Sequence, residues 1–424
     1  MVKVYFIFGL SLLILFEAFS PFRMEKNFIF QIQTEALVVV TVLSWIGVAF
    51  LIFQKRKLHI TMIDLLFFPY IAYLLLQLIF YPVDTYYVLT IAGLAAAYFL
   101  FRHIPVRLIP VLLALLPVMA VVQIIYGYNR FEYPWQKLSD SIGAFNNTGI
   151  FGGFIAMGFV TACGLLLSFK NLYIRIGLGI MLIPITIQLI YSQSRAAWIA
   201  AVVGTIILVI PTFRKLTKGK ALIIISILLV IGVLYSIKLY HLKKDSADGR
   251  MLIWSVSWNM IKEKPLIGYG AGGFRRNYLL RQADYFENHP DSPYSDLADD
   301  IVYPFNEFLK TGIEQGIIGL LLMLGILFRA FKNTASPSVF RAILASLVGF
   351  SCFSYPFDIV AFQVLGVSCL AGIASNQKSL AFAGMIHFSV ILFLTRNSLK
   401  IIAMCLLIML CGFFSFISIF TLTD

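Results

Sequence analysis

Chemistry on a charged substrate needs fixed cations, hydrogen-bond donors and carboxylates, and this chain has few places to keep them. Arg195 lies in a tight polar hinge, Tyr191-Ser192-Gln193-Ser194-Arg195-Ala196-Ala197-Trp198, between two strongly apolar runs. An ionisable residue at membrane depth costs about 2.5–3.5 kcal/mol. An arginine there either snorkels to lipid headgroups or, held by the hydroxyls of Ser192 and Ser194, grips a phosphate in bidentate fashion. Arg250 opens a stretch in which Met251, Trp254, Trp258 and Ile261 recur at helical spacing. That pattern predicts a short amphipathic helix on the membrane, capped by Asp248 or Ser246 and stopped by Pro265. Arg250 is then either a solvated charge at the helix end or a cation aimed at the interface where a lipid-linked anion arrives. A third stretch, Tyr303-Pro304-Phe305-Asn306-Glu307-Phe308, opens a helix whose first turn stands outside the bilayer, since 306–331 is about 39 Å long. Asn306 as cap and free N–H groups make that terminus an anion site. Glu307 and Glu314, seven apart, lie on one face.

Weaker signals surround these three. The turn Gly143-Ala144-Phe145-Asn146-Asn147-Thr148-Gly149 is small and amide-rich, so it is either a helix N-cap or a backbone cradle for a ligand. Gly268, Gly270, Gly272 and Gly273 form a glycine-dense turn that is no nucleotide loop, because no strand precedes it and no Gly-Lys-Ser/Thr follows. Arg275, Arg276 and Arg281 make a basic rim; Asp284, Glu287, Asp291, Asp296, Asp299 and Asp300 make an acidic one. Their spacing is not diagnostic of a divalent-ion site, and mixed charge of this kind reads first as a solvated surface.

The elements that position these residues are membrane spans. Sixty per cent hydrophobic and 12% charged residues exclude a set of soluble domains, which carry about 25% charged residues. The net charge of +13 falls in short Lys/Arg clusters between apolar runs, which sets orientation rather than binding nucleic acid. The five cysteines, 163, 352, 369, 405 and 411, lie in or beside apolar runs and form neither a disulfide framework nor a metal site. Residues 2–19 read as a signal-anchor span. Further spans are expected at 36–53, 61–81, 86–101, 107–126, 149–169, 174–191, 196–213, 221–239, 306–331, 339–355, 359–375, 379–395 and 400–420, about fourteen in all. Basic residues at 55–57, at 102 and 107, at 170 and 175, at 214–220 and at 329–341 mark alternate loops as cytoplasmic. The N-terminus is then inside, and 127–148, 192–195, 240–304 and 355–358 face out. Arg396 and Lys400 break the alternation, so one of the last three runs is re-entrant or interfacial. The expectation is an all-α polytopic membrane protein of about 12–14 transmembrane helices, one domain over 1–424, with the large outer loop 240–304 as half of an active site.

Four landmarks in order, GAFNNTGIFGG, SQSRAAW, the R-x3-W-x3-W-x6-P-x2-G-x-G-x2-F stretch from Arg250, and FNEFLKTGIEQGIIG, resemble the O-antigen ligase and O-antigen polymerase superfamily of bacterial membrane glycosyltransferases. The likeness covers roughly 130–330, and Ser354-Tyr355-Pro356-Phe357 adds to it. The resemblance implies a helical fold of the lipid-sugar (GT-C) glycosyltransferase type in the bacterial inner membrane, with its active site in the periplasm. It also implies transfer of a glycan from undecaprenyl pyrophosphate to an acceptor hydroxyl on a glycan, lipid A core or protein, with no cofactor and no metal. Arg195 and Arg250 match the family's pyrophosphate-clamping arginines. Asn306 and Glu314 match the polar positions of its re-inserting helix, and Asn146, Asn147, Ser194, Arg275 and Arg276 would line the substrate site. Ligases of the family usually carry a histidine before that asparagine; here it is Phe305. The base is then Glu307, Glu314 or His289, in that order, or the leaving group needs none. The departure argues against a ligase to lipid A core and for a polymerase that joins repeat units, or for a relative acting on capsule, exopolysaccharide or protein. A transporter or flippase of lipid-linked oligosaccharide is the alternative. It calls for charged or broken helices near the midplane and an internal repeat, for which the chain offers only scattered Glu17, Asp64, Gln123, Gln188, Gln363 and His387. A non-catalytic scaffold of an envelope complex is a third class.

Overall fold

The computed structural model describes residues 2–20, 29–54, 60–81, 84–105, 108–129, 137–145, 147–213, 244–332 and 338–377. Long apolar runs satisfy their backbone groups internally, as a bilayer requires, and the described residues contain helices and turns without strands. Eleven apolar helices make the bundle: α1 (Val2–Phe19), α2 (Ile29–Phe53), α3 (Asp64–Phe80), α4 (Thr85–Phe101), α5 (Ile109–Asn129), α6 (Thr148–Ser168), α7 (Leu172–Tyr191), α8 (Arg195–Phe213), α11 (Glu307–Lys332), α12 (Ser338–Ser351) and α13 (Val360–Ser375). Between α8 and α11 run two polar helices, α9 (Lys244–Glu263) and α10 (Gly273–Asn288). Five of the apolar helices are long enough to cross a membrane by length and composition, and six are shorter. Each coincides with an expected span. The expected spans 221–239, 379–395 and 400–420 lie outside the described residues, as do the basic clusters 55–57 and 214–220.

The chain is a polytopic, all-helical membrane protein. α6 is its centre, packed on α5, α7, α8 and α12, and nearly every residue from Ile150 to Gly158 is buried. α12 lies along α8, while α4 packs on α2 and α13. One end of the bundle is tied by a buried ion pair, Arg102 Nη2 to Asp64 Oδ2 at 3.0 Å. Asp64 also accepts from Tyr98 Oη at 2.6 Å and from the Thr61 amide at 2.7 Å, while Arg102 donates to Ser375 Oγ. Asp64 is therefore a structural anchor there. Gln123 holds the other end: its Nε2 donates to the Phe19 carbonyl and its Oε1 accepts the Ala144 amide, both at 2.9 Å.

The polar excursion is stitched into that second end. Where a single 26-residue helix is expected, α11 breaks at Gly316, whose φ/ψ of 64°/−167° only glycine adopts readily. The break frees backbone groups, and the turn after Pro265 supplies them. Ile317 N–H donates to the Pro265 carbonyl at 2.8 Å, while Tyr269 N–H and Gly270 N–H donate to the Ile313 and Glu314 carbonyls at 2.8 and 2.9 Å. α3 completes the splice, with Gln77 Nε2 donating to the Ile267 carbonyl, Tyr73 Oη to that of Gln315 and Tyr81 Oη to that of Gly268. The glycine-dense turn therefore exists to lie against α11. A Cβ on Gly268, itself at φ 70°, would sit 2.4 Å from the Ile313 carbonyl oxygen.

Candidate active site at the loop end of the bundle

Each candidate residue sits where one of these elements ends. The α7–α8 hinge turns through Gln193, at φ 48°. Its hydroxyls serve the backbone: Ser192 Oγ donates to the Leu189 carbonyl at 2.7 Å, and Ser194 Oγ accepts the Ala197 amide at 3.3 Å and donates to the Gly149 carbonyl at 3.5 Å. This corrects the expectation that the serines hold the guanidinium. Ser194 caps α8 and ties it to the start of α6. Arg195, the first residue of α8, is half-buried.

α9 begins at Lys244, earlier than the pattern predicts, so Ser246 and Asp248 lie inside the helix. Its buried face is Leu252, Ile253, Val256 and Met260, whereas Met251 and Trp258 are each 54% exposed. The predicted apolar face is thus turned partly outward, because α9 is apolar on two sides. Arg250 is half-buried on this helix, its Cζ 5.2 Å from the centre of the Phe305 ring. Burial lowers its pKa, and the charge of Arg195 lowers it further. Arg195, on a separate element, is thus near enough for its charge to act on Arg250. Among the described residues neither has an ion-pair partner.

The strap before α11 is held tightly. Trp254 Nε1 donates to the Pro304 carbonyl at 3.0 Å, Phe305 adopts φ 52°, and Asn306 Oδ1 accepts the Phe308 and Leu309 amides at 2.9 and 3.1 Å. Asn306 thus fills two of the donors expected to meet an anion. Behind it Glu307 and Glu314 are 2% and 5% exposed. Glu307 Oε1 accepts the Phe357 amide at 2.6 Å, and Lys310, between the two glutamates on the same face, pairs with Asp358. Tyr86 Oη donates to the Asp358 carbonyl at 3.4 Å.

The weaker candidates scatter. Asn147 Oδ1 caps α6 by accepting the Ile150 amide at 3.0 Å, and its residue is exposed. Asn146 lies outside the described residues. Arg275 and Arg276 are exposed on α10; Arg275 lies near enough to Tyr303 to influence its phenol, and Arg276 donates to the Tyr269 carbonyl at 3.5 Å. Arg281 pairs with Glu263 and Asp284, both at 2.8 Å. His289 is exposed at the end of α10, stacked on Tyr285 at 4.5 Å.

Residues 180–324 match the O-antigen ligase family. That segment, about a third of the chain, is similar to the O-antigen ligase superfamily. Relatives named as proposed polysaccharide ligases occur in three Rickettsia species. That of Rickettsia felis is 27% identical over 176 residues, 38% of this chain and 40% of its own. That of Rickettsia conorii is 26% identical over 157 residues, 34% and 36% respectively. That of Rickettsia typhi is 27% identical over 186 residues, 41% and 43%. The chain thus matches about two fifths of the length of these relatives. The O-antigen ligase segment holds Arg195, Arg250, Asn306, Glu307, Lys310 and Glu314 and stops before Asp358. Two buried charges here, Lys310 and Asp358, were not among the residues the sequence pattern singled out. Lys310 carried a signal, standing three residues after Glu307 and four before Glu314. Asp358 carried only its place at the lip of an apolar run.

Proposed function

We propose that the protein transfers a glycan from undecaprenyl pyrophosphate to an acceptor hydroxyl on the periplasmic side of a bacterial inner membrane, as a polymerase or ligase. The observation that carries this reading is that Arg195 and Arg250, from separate elements, are both half-buried, near enough for one charge to act on the other, and without an ion-pair partner among the described residues. Two like charges partly removed from water near one another are costly alone and are relieved by a dianion that both guanidinium groups can reach. Pyrophosphate has that charge and the oxygens for bidentate contact. As the acceptor oxygen attacks the anomeric carbon and the glycosidic C–O bond breaks, negative charge grows on the departing pyrophosphate, where the arginines stabilise it.

The acceptor proton leaves with the pyrophosphate or passes to Glu307. Glu307 has the better claim of the two glutamates, since it lies directly behind Asn306, but its Oε1 already accepts the Phe357 amide. With Phe305 at the tip of the strap, proton loss to the leaving group is the simpler route. The break in α11 does not favour a flippase, because the protein's own turn fills it at the loop end.

The test is transfer by the reconstituted protein from undecaprenyl-pyrophosphate-linked glycan. Arg195→Ala and Arg250→Ala should each lower the rate by roughly 100- to 1,000-fold, and Lys should restore little at either position. Parent-like rates in both would sink the reading. A deletion strain then separates the roles: single repeat units mean a polymerase, and long chains stranded on the lipid carrier mean a ligase.

A further inference from the structure

Three aromatic rings continue from the Arg250 site. Phe305 lies under Arg250, Tyr355 meets Phe305 edge-on with centroids 5.4 Å apart at 78°, and Tyr303 lies parallel to Tyr355 at 4.0 Å and 2°. All three are half-buried. Two elements pin them. Trp254 holds the strap through the Pro304 carbonyl, while Glu307 and Lys310 hold the 355–358 turn through the Phe357 amide and Asp358. Burial, then Asp358, raises the pKa of the Tyr303 phenol; burial, then Tyr303 and Asp358, raises that of Tyr355. Both hydroxyls are therefore protonated donors at neutral pH.

Rigid, partly open rings bearing hydroxyl donors, beside a cation pair, suit one class of ligand. A pyranose has an apolar C–H face for the ring quadrupole and a rim of hydroxyls for the phenols. A prenyl chain would use the rings but leave the phenols idle, and it has the bilayer as its own solvent. We propose that Phe305, Tyr355 and Tyr303 form a saccharide-stacking subsite for the sugar ring joined to the pyrophosphate. The subsite rests on the pyrophosphate reading of Arg195 and Arg250.

The experiment measures binding of two probes to the full chain in lipid nanodiscs: undecaprenyl pyrophosphate without sugar, and the undecaprenyl-pyrophosphate-linked glycan isolated from a strain lacking this gene. Tyr355→Ala should weaken the glycan-bearing probe by roughly 3- to 10-fold and leave the sugar-free probe unchanged. Tyr355→Trp should recover the loss. Equal weakening of both probes would reduce the stack to a support for Arg250 and overturn the subsite, as would no change in either. If Tyr355→Ala does not accumulate, Tyr303→Leu carries the same expectation. Arg250→Ala should weaken both probes; if it weakens neither while Tyr355→Ala acts as expected, the pyrophosphate reading fails and the sugar contact stands.

Discussion

Replacing Gly316 with alanine tests what holds the polar excursion to the bundle. A Cβ there would lie 2.2 Å from the Leu266 carbonyl oxygen and 2.3 Å from its carbon, and the residue keeps φ 64°. The conformation alone costs a residue other than glycine about 1–3 kcal/mol. The clash falls on backbone that cannot move aside cheaply, because Ile317 N–H to the Pro265 carbonyl and Ile318 N–H to the Leu266 carbonyl flank it at 2.8 and 3.4 Å. Losing those two bonds adds about 1–3 kcal/mol, for a total of about 2–6 kcal/mol. A suitable control is Gly179→Ala on α7, where a new Cβ meets nothing within 4 Å. Thermal unfolding in detergent should separate the two variants clearly. Trypsin gives a local readout, because Lys262, Lys264, Arg275 and Arg276 are exposed in the excursion; Gly316→Ala should be cut there much faster than the parent. If Gly316→Ala melts with Gly179→Ala and resists trypsin as well as the parent, the splice is not what secures the loop.

Lys310→Met should cost about 3–5 kcal/mol, because it strands Asp358 and the neighbouring Glu307 and Glu314 without their cation. Asp358→Asn should cost less, since both glutamates still face Lys310, and thermal melts of the single and double variants should reveal a coupled pair rather than additive losses. At the opposite end, Arg102→Met leaves Asp64 buried and unpaired and should cost a similar ~3–5 kcal/mol. Arg102→Lys should recover only part of it, because one ammonium cannot reproduce the Nε and Nη2 contacts to Asp64 together with Nη1 to Ser375. A fully stable Arg102→Met protein would contradict the assignment of that ion pair as an anchor.

Much of the site could be read locally, and the unread part is all long-range. Asn147 and Asn306 are caps because an amide before an apolar run can accept only from the next few N–H groups. Pro265 ends α9 for an equally local reason. The serines of the hinge misled, because Ser194 had a choice between the adjacent guanidinium and the Gly149 carbonyl, and only the packing of α8 on α6 decides it. The outward turn of Met251 and Trp258 has the same origin: α9 has two apolar sides, and contact with the strap and α11 selects which is buried.

By itself the sequence determined the eleven described apolar helices, the amphipathic helix between Gly249 and Pro265, though not its earlier start, and the two outer-face arginines. Span length, periodicity and the cost of charge in lipid act within some twenty residues. Tertiary structure decided that Arg195 lies near enough to act on the charge of Arg250, that Phe305 underlies Arg250, that α11 breaks where the Pro265 turn can mend it, and that Lys310 pairs with Asp358. Each of these depends on which helix ends share one end of the bundle, and that is set by packing between segments far apart in the chain, for which no local pattern of residues is a proxy.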